Sequence, residues 1–337
     1  ISLMYLTHNP TTMRIIFIIL LWITLGGCNQ TQQEESQSSE TDERWFFWTV
    51  DWHPQKDQFV AGGSNDTFFK LFSSSDFQPI KTYPYKGTIT QTKWHPTQNK
   101  LAISVQDGKS QSIMFDLEND QQIQLDSVSM EGARAIGWNH TGELLAVGDY
   151  KGMFTIYDGA GNFLRRIGTG QKSIINLDWH PHENLIVAVG EKITLYDYAS
   201  DSLKHIEDRE EEVLMLCVDW HPSGNFFVTG DYGDFEYHYP PLLQYWTYDG
   251  QRTQSIEESE AEYRNAQWSS DGELLATTSD KMRLWNTEGE LVAEDSTQHL
   301  LWGLDWQADG SKLLATDTQR KIICWDRNLK RLMEQQY

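Results

Sequence analysis

The charge balance of the chain argues against nucleic acid as a partner. The 337 residues carry 27 Lys and Arg against 49 Asp and Glu, a formal net charge of −22 at pH 7, whereas a nucleic-acid backbone is bound by clustered cations. Three cysteines are too few for a disulfide framework.

The first residues have the order of a secretory signal. The first residue is not Met, so we expect translation to start at Met13 or Met4, with residues 1–12 as upstream read-through. Arg14 supplies a positive charge ahead of the apolar run 15–24. That run is too short to span a bilayer as a helix, which favours a cleaved signal.

The signal ends in Leu25-Gly26-Gly27-Cys28, which resembles the lipobox of bacterial lipoproteins. The resemblance implies a signal peptide over 13–27 and a lipid joined to the Cys28 thiol. In lipoproteins of Gram-negative bacteria, a residue other than Asp after the Cys, here Asn29, favours the outer membrane. The alternative is an ordinary signal peptide with a chance Cys.

The stretch that follows cannot form a core. Residues 29–43 include no apolar side chain, so we expect 28–44 to be a lipidated Cys followed by a disordered tether. The remaining residues, 45–337, are expected to form one folded domain.

A tryptophan returns through this domain with a period near 40 residues, in contexts such as Asp51-Trp52-His53-Pro54 and Asp178-Trp179-His180-Pro181. Such a period indicates a repeat architecture. The seven repeat tryptophans are Trp52, Trp94, Trp138, Trp179, Trp220, Trp268 and Trp306.

Each repeat contains four short strand patterns. In the third repeat they are 135–138, 144–148, 154–158 and 163–167, separated by turns rich in Gly, Asp and Asn. Short apolar or alternating runs bounded by such residues are typical of antiparallel strands.

These repeats resemble the WD40 repeat, whose third strand ends in an aromatic residue followed by Asp. The Gly-His pair that opens many WD40 repeats is missing throughout. The resemblance covers 45–337 and implies an all-β, seven-bladed WD40-type β-propeller with four antiparallel strands per blade. The repeat tryptophans are then expected to pack between blades as core residues. The matching pairs are Phe115-Asp116, Tyr157-Asp158, Tyr196-Asp197, Trp285-Asn286 and Trp325-Asp326.

The residue four places before each repeat Trp differs from repeat to repeat, and in four repeats it is Trp or Arg. By the strand direction of WD40 propellers, this position falls near the upper mouth of the central channel. Trp and Arg are enriched in binding hot spots, so we predict partner binding by Trp48, Arg134, Arg264 and Trp302. A purely core role for the two tryptophans is the alternative.

Repeat five has a longer loop between its second and third strands, 230–243. A rigid scaffold often presents functional residues on such loops, and WD40 topology places this loop on the upper face. The alternative is a loop that packs down over its blade. The predicted partner-binding residues are Tyr232, Phe235, Tyr237, His238 and Tyr239.

Four carboxylates, Asp51, Asp178, Asp219 and Asp305, each precede a repeat Trp on the strand that lines the channel. They are weak candidates for a cation site; pairing with a hydroxyl or backbone N–H is favoured. The turn histidines, such as His53, lie around a rim and do not converge as zinc ligands would. No cofactor motif is present.

The leading hypothesis is a lipid-anchored, non-catalytic propeller that binds a protein or peptide of the bacterial cell envelope, with no cofactor and no nucleic acid. WD40 propellers are predominantly interaction scaffolds, although a fold alone does not give a function. The alternatives are an enzyme, a small-ligand or cation binder with its site at the channel mouth, or a purely structural envelope protein.

Overall fold

A computed structural model describes residues 46–64, 68–85, 87–106, 112–125, 132–206, 213–234 and 236–337. These residues form strands, turns and loops within one compact unit, and no helix occurs among them.

Seven four-stranded antiparallel sheets account for all the strands, and each sheet uses four consecutive strands in chain order. Blades 1 to 4 contain β1 (Phe47–Trp52), β2 (Gln58–Gly63), β3 (Phe68–Ser73), β4 (Pro79–Pro84), β5 (Ile89–Trp94), β6 (Lys100–Val105), β7 (Ile113–Asp116), β8 (Gln121–Gln124), β9 (Ala133–Trp138), β10 (Leu144–Asp149), β11 (Met153–Asp158), β12 (Phe163–Gly168), β13 (Ile174–Trp179), β14 (Leu185–Gly190), β15 (Ile193–Asp197) and β16 (Ser202–Ile206). Blades 5 to 7 contain β17 (Met215–Trp220), β18 (Phe226–Asp231), β19 (Leu243–Thr247), β20 (Arg252–Ile256), β21 (Asn265–Trp268), β22 (Leu275–Thr278), β23 (Lys281–Trp285), β24 (Leu291–Ser296), β25 (Leu301–Trp306), β26 (Lys312–Asp317), β27 (Lys321–Asp326) and β28 (Arg331–Gln336).

The first strand of each blade contacts the first strands of the two neighbouring blades, and β25 contacts β1. The sheets therefore form a closed ring around a channel lined by first strands. The predicted seven-bladed propeller is confirmed. Blade 7 comes wholly from the C-terminal part of the chain, so the ring closes by packing between blades 7 and 1.

Burial along the strands follows from their radial position. The second strands lie between neighbouring blades, and β14 is buried at every residue. The outermost strands alternate, as in β12, where only every second side chain is covered. A strand that is buried on both faces has a continuous run of apolar residues in its sequence. A strand with one face in solvent alternates apolar and polar residues.

The hydrophobic core is divided among the seven seams between blades. At the closing seam Trp52 and Phe59 of blade 1 pack with Leu314 and Cys324 of blade 7. Every other seam has a similar cluster with its own repeat Trp. A buried Trp removes about 150–250 Å² from water, so these tryptophans stabilise the ring. Trp94, Trp138, Trp179, Trp220, Trp268 and Trp306 lie in or against the other six clusters.

The turn histidines join adjacent blades. His95 Nδ1 accepts the backbone N–H groups of Thr97 and Gln98. Nδ1 is therefore unprotonated, and Nε2–H donates to the Gly142 carbonyl of the next blade over 3.1 Å. The same bond joins His180 to Gly224 and His221 to Gly272.

Candidate functional site

A cavity of about 50 Å³ opens where the seven first strands begin; we call this end of the channel the mouth. Every residue that stands four places before a repeat Trp lines it, as the strand direction predicted. These residues are Trp48, Thr90, Arg134, Ile175, Leu216, Arg264 and Trp302.

An aromatic cluster forms the wall of the mouth at the closing seam. The rings of Trp48 and Trp302 lie 4.7 Å apart between centroids. Phe46 packs edge-on against Trp302 at 4.8 Å. Both indoles are only half-buried, so they combine packing with a surface facing the mouth. Phe46 was not singled out from the sequence because it lies just before the first strand.

Two arginines lie over these indoles. The Arg264 guanidinium is 4.0 Å from the Trp302 ring centroid, and that of Arg134 is 5.9 Å from the Trp48 centroid. Arg264 also forms an ion pair with Glu262. Cations over indole faces are attracted by the ring quadrupole, so each arginine is held at the mouth by a ring.

Hydrogen bonds from the preceding blades fix the backbone at these positions. Thr90 and Ser104 donate to the Arg134 carbonyl over 3.4 and 3.0 Å. Asn265 and Thr278 donate to the Trp302 carbonyl over 2.6 and 3.1 Å. The side chains of the mouth are thus carried on strand ends with little freedom, which lowers the entropic cost of binding.

Three donors at the mouth have no acceptor among the described residues. They are the indole N–H groups of Trp48 and Trp302 and the Nε–H of Arg264. A buried donor without an acceptor costs about 1–3 kcal/mol.

The long loop of repeat five belongs to the same face as the mouth. Asp231, at the end of β18, pairs with Met215, at the start of β17. The loop that follows Asp231 therefore begins beside Leu216, which lines the mouth. The Asp231 carboxylate accepts the backbone N–H groups of Gly233 and Leu242 and so fixes both ends of the loop.

The predicted binding residues of this loop are largely exposed. Tyr237 is 62% exposed and Tyr232 is 41% exposed. His238 is exposed and has a φ of 63°, and Tyr239 is half-buried and paired with Asp234 in a short bridge. Phe235 lies outside the described residues. Tyr232, Tyr237 and His238 are thus exposed in a loop that the bridge between Asp234 and Tyr239 closes.

The four candidate carboxylates lie deeper, one layer before the repeat tryptophans. Each carboxylate accepts the backbone N–H of the repeat Trp on the next blade around the ring. The bonds run from Trp94 to Asp51 (2.6 Å), from Trp220 to Asp178 (2.8 Å), from Trp268 to Asp219 (2.8 Å) and from Trp52 to Asp305 (2.6 Å).

Lys93 holds the equivalent position in blade 2, and sequence reasoning missed its role. Burial lowers the pKa of Lys93, but the charges of the four aspartates outweigh it, so the pKa lies above its usual value. Comparing the residue before each repeat Trp would have revealed one cation among four acids. Lys93 also lines the mouth cavity from below.

Burial raises the pKa values of all four aspartates, that of Asp178 to about 6. The charge of Asp305 further raises the pKa of Asp51. The geometry assigns these carboxylates a structural role as acceptors for the next blade. Within the described ranges, no group of three or more His, Cys, Asp or Glu side chains is placed to hold a metal ion.

The predicted signal, the lipidation site Cys28 and the tether lie outside the described residues. Within the part of the chain that is described, no helix has the length and apolar character needed to cross a membrane.

Two protein-family models match the chain. The model described as the WDR19 first beta-propeller matches residues 48–223. The model of the eukaryotic translation initiation factor eIF2A matches residues 169–302. Together they span from Trp48 to Trp302, the two tryptophans of the mouth.

Among curated proteins, the chain is similar to echinoderm microtubule-associated protein-like 2. Identity is 27% over 137 residues for the mouse protein, and the alignment covers 39% of this chain. The human and rat proteins are 27% and 26% identical over the same length. The chain spans only 21% of the length of these relatives.

Proposed function

Because the chain belongs to the family described as the WDR19 first beta-propeller, a WD40-type propeller, we propose that it is a non-catalytic scaffold that docks a protein or peptide. The docking surface is the face formed by the mouth and by the loop 232–241, which we call the upper face. The observation that carries the proposal is that exposed loop aromatics lie on the same face as the indoles and arginines of the mouth.

The composition of this face suits protein recognition. Trp, Tyr and Arg are the residue types enriched at binding hot spots, and here all three lie on the same face of the propeller. The loop begins after Asp231, which pairs with Met215 next to the mouth residue Leu216, and this supports one docking face that includes both. The volume of about 50 Å³ is far below the roughly 300–1,000 Å³ of small-molecule pockets, which favours a partner that lies across the face.

A photoreactive residue tests the proposal. It would replace Tyr237 on the loop or, as the matched control, Tyr248. Tyr248 is exposed as well, at 41%, but bonds to Glu183 and Asn225 near the histidine turns, at the opposite end of the blades. We expect a discrete protein adduct from position 237 in the native cell, absent from position 248 and lost when Arg134 and Arg264 are both changed to Gln. Identical adducts from the two positions, or none from 237 with normal expression, would contradict an upper-face partner.

We further propose that the scaffold is lipid-anchored in a bacterial cell envelope, facing the periplasm or the surface. The support is the order of residues 13–28, with the partner then being an envelope protein. Mass spectrometry of the N-terminal peptide tests this: a diacylglyceryl group on Cys28, and loss of membrane association in Cys28→Ser, are expected. An unmodified Cys28 in the purified full chain would contradict it.

The alternative of a cation or small-ligand site in the channel has a direct test. Elemental analysis of the purified full chain would reveal a bound metal, and its loss in Asp178→Asn would favour this alternative. The aspartates are already acceptors for backbone N–H groups, which is why the scaffold is the preferred proposal.

A further inference from the structure

We propose that the mouth receives one carboxylate of an acidic peptide segment, held between Arg134 and Arg264. This inference rests on the upper-face docking proposed above and names the chemistry of the partner.

The distribution of counter-charges points to Arg134 as the anchor. Three cationic side chains line the cavity: Lys93, Arg134 and Arg264. The four channel aspartates act on Lys93, and Glu262 pairs with Arg264. Arg134 makes no ion pair with any described residue; its neighbours are the Trp48 ring and the Tyr150 hydroxyl. A carboxylate at the mouth would supply the missing partner.

The two guanidinium groups also repel each other. Burial lowers the pKa of Arg264, and the positive charge of Arg134 lowers it further, while Glu262 raises it. An anion between two like charges removes this repulsion and gains charge-assisted hydrogen bonds from both. A cationic ligand would add to the repulsion instead.

The hydrogen-bonding groups of the three cations have the same preference. Lys93, Arg134 and Arg264 line the cavity, and their ammonium and guanidinium groups can only donate hydrogen bonds. A carboxylate has two oxygens and only accepts when ionised. Amide or ammonium groups match this set less well, because they bring donors of their own.

The cavity has room for the end of one side chain of the peptide. A volume of about 50 Å³ suits one carboxylate and its methylene, while the backbone of the peptide lies over the upper face beside Tyr232 and Tyr237. A peptide source is therefore preferred over a free metabolite, which could use none of the loop.

The aspartates below do not prevent this binding. They lie three residues further along the first strands, about 10 Å deeper. Lys93 lies among them, and burial raises their pKa values, so their ionised charge is reduced.

Titration with a matched pair of pentapeptides tests the inference. The probes are acetyl-Gly-Gly-Glu-Gly-Gly-amide and its Gln counterpart, added to the ¹⁵N-labelled full chain. The readout is the indole N–H resonance of Trp48 and of Trp302, assigned with Trp→Phe variants. We expect saturable shifts with the Glu peptide, at least about tenfold weaker binding of the Gln peptide, and weaker binding as salt is raised.

Arg134→Gln and Arg264→Gln are expected to abolish the preference for Glu over Gln, while Arg320→Gln, on the turn before β27, preserves it. The two peptides are compared on the wild-type chain, so misfolding of an arginine variant does not remove the test. Equal affinity for both peptides would overturn the inference, and so would acetate giving the same shifts at the same concentration. If the peptides fail while the Tyr237 crosslink still yields its partner, the carboxylate inference alone is wrong. If the peptides bind but no crosslinked partner exists, the docking proposal is wrong.

Discussion

The Asp305 carboxylate accepts the backbone N–H of Trp52 over 2.6 Å, although 253 residues separate them in the chain. The same bond joins Asp219 to Trp268 over 2.8 Å at a seam inside the chain. The geometry of the two seams is alike, but only the second is also held by chain connectivity between its blades. The closing seam depends on packing and hydrogen bonds alone.

Asp305→Ala is therefore expected to loosen the ring locally. It removes the acceptor of Trp52 N–H and of the Gln267 amide, and an orphaned buried donor costs about 1–3 kcal/mol. Hydrogen exchange should accelerate in β1 and β25 by about tenfold or more. Asp219→Ala is the matched control, in which the chain still joins blades 5 and 6 and exchange in β1 should stay slow. Unchanged protection of β1 in Asp305→Ala would show that this bond does not hold the seam.

Lys93→Met tests the charge balance of the channel. It leaves four acids without their common cation, and removal of one partner from a buried charge cluster costs about 3–5 kcal/mol. Denaturant unfolding at pH 7.5 should show this loss, whereas Lys330→Met, at an exposed position, should change little. Adding Asp51→Asn should recover part of the loss, because Asn keeps an acceptor for Trp94 N–H without the charge.

The loss in Lys93→Met should also shrink in acid. The folded-state pKa values of the four aspartates are raised, that of Asp178 to about 6, so the folded state takes up protons before the unfolded state does. The unfavourable contribution of Asp178 is thus largest above pH 6 and fades as the pH falls toward 3.8, the ordinary value, and those of the other three aspartates fade in the same direction. A penalty that is equal at pH 7.5 and pH 5 would contradict this charge balance.

The spacing of the repeat tryptophans indicated a repeat architecture, and the resemblance of the repeats to the WD40 repeat implied the propeller, in which first strands run in the same direction and equivalent residues form layers. The same logic placed Arg134, Arg264 and the two mouth indoles around one opening. Lys93 was missed because it was read within its own repeat, where a lysine on a strand has no special meaning. The pairing of Arg264 with Glu262, two residues earlier, depends on side-chain rotamers that spacing does not encode. The exposure of the loop aromatics could not be predicted either, because it depends on the Asp231 carboxylate, which fixes both ends of the loop.

The histidine turns predict an acid-sensitive contribution to stability. Burial is the main cause that lowers the pKa values of His53, His95, His180 and His221 from 6.5. The unfolded chain then binds protons near pH 6.5 while the folded chain does not, so this contribution is complete above 6.5 and declines as the pH falls below it.

His180→Asn isolates one such turn. Asn139 already occupies the equivalent position in blade 3, where it bonds to Asn184 and to Leu144 N–H. The variant should lose about 1 kcal/mol at pH 7.5 for the bond to Gly224 and should show a shallower fall in unfolding free energy between pH 7.5 and 5.5. The comparison uses the difference between variant and wild type, so the opposing titration of the aspartates cancels. An identical pH slope in both proteins would contradict a neutral His180 in the folded state.

Gly142 shows how closely each histidine turn meets the next blade. Its φ is +75°, and a Cβ there would lie 2.2 Å from the His95 ring. Gly142→Ala should therefore cost about 1–2 kcal/mol for the left-handed backbone and more for the displaced ring. Gly168→Ala is the control, because its φ is unremarkable and its nearest neighbour is the flexible Met153 at 3.3 Å. In a His95→Ala background the cost of Gly142→Ala should fall to the backbone contribution alone. If the cost is the same in both backgrounds, the contact between His95 and Gly142 does not join blades 2 and 3.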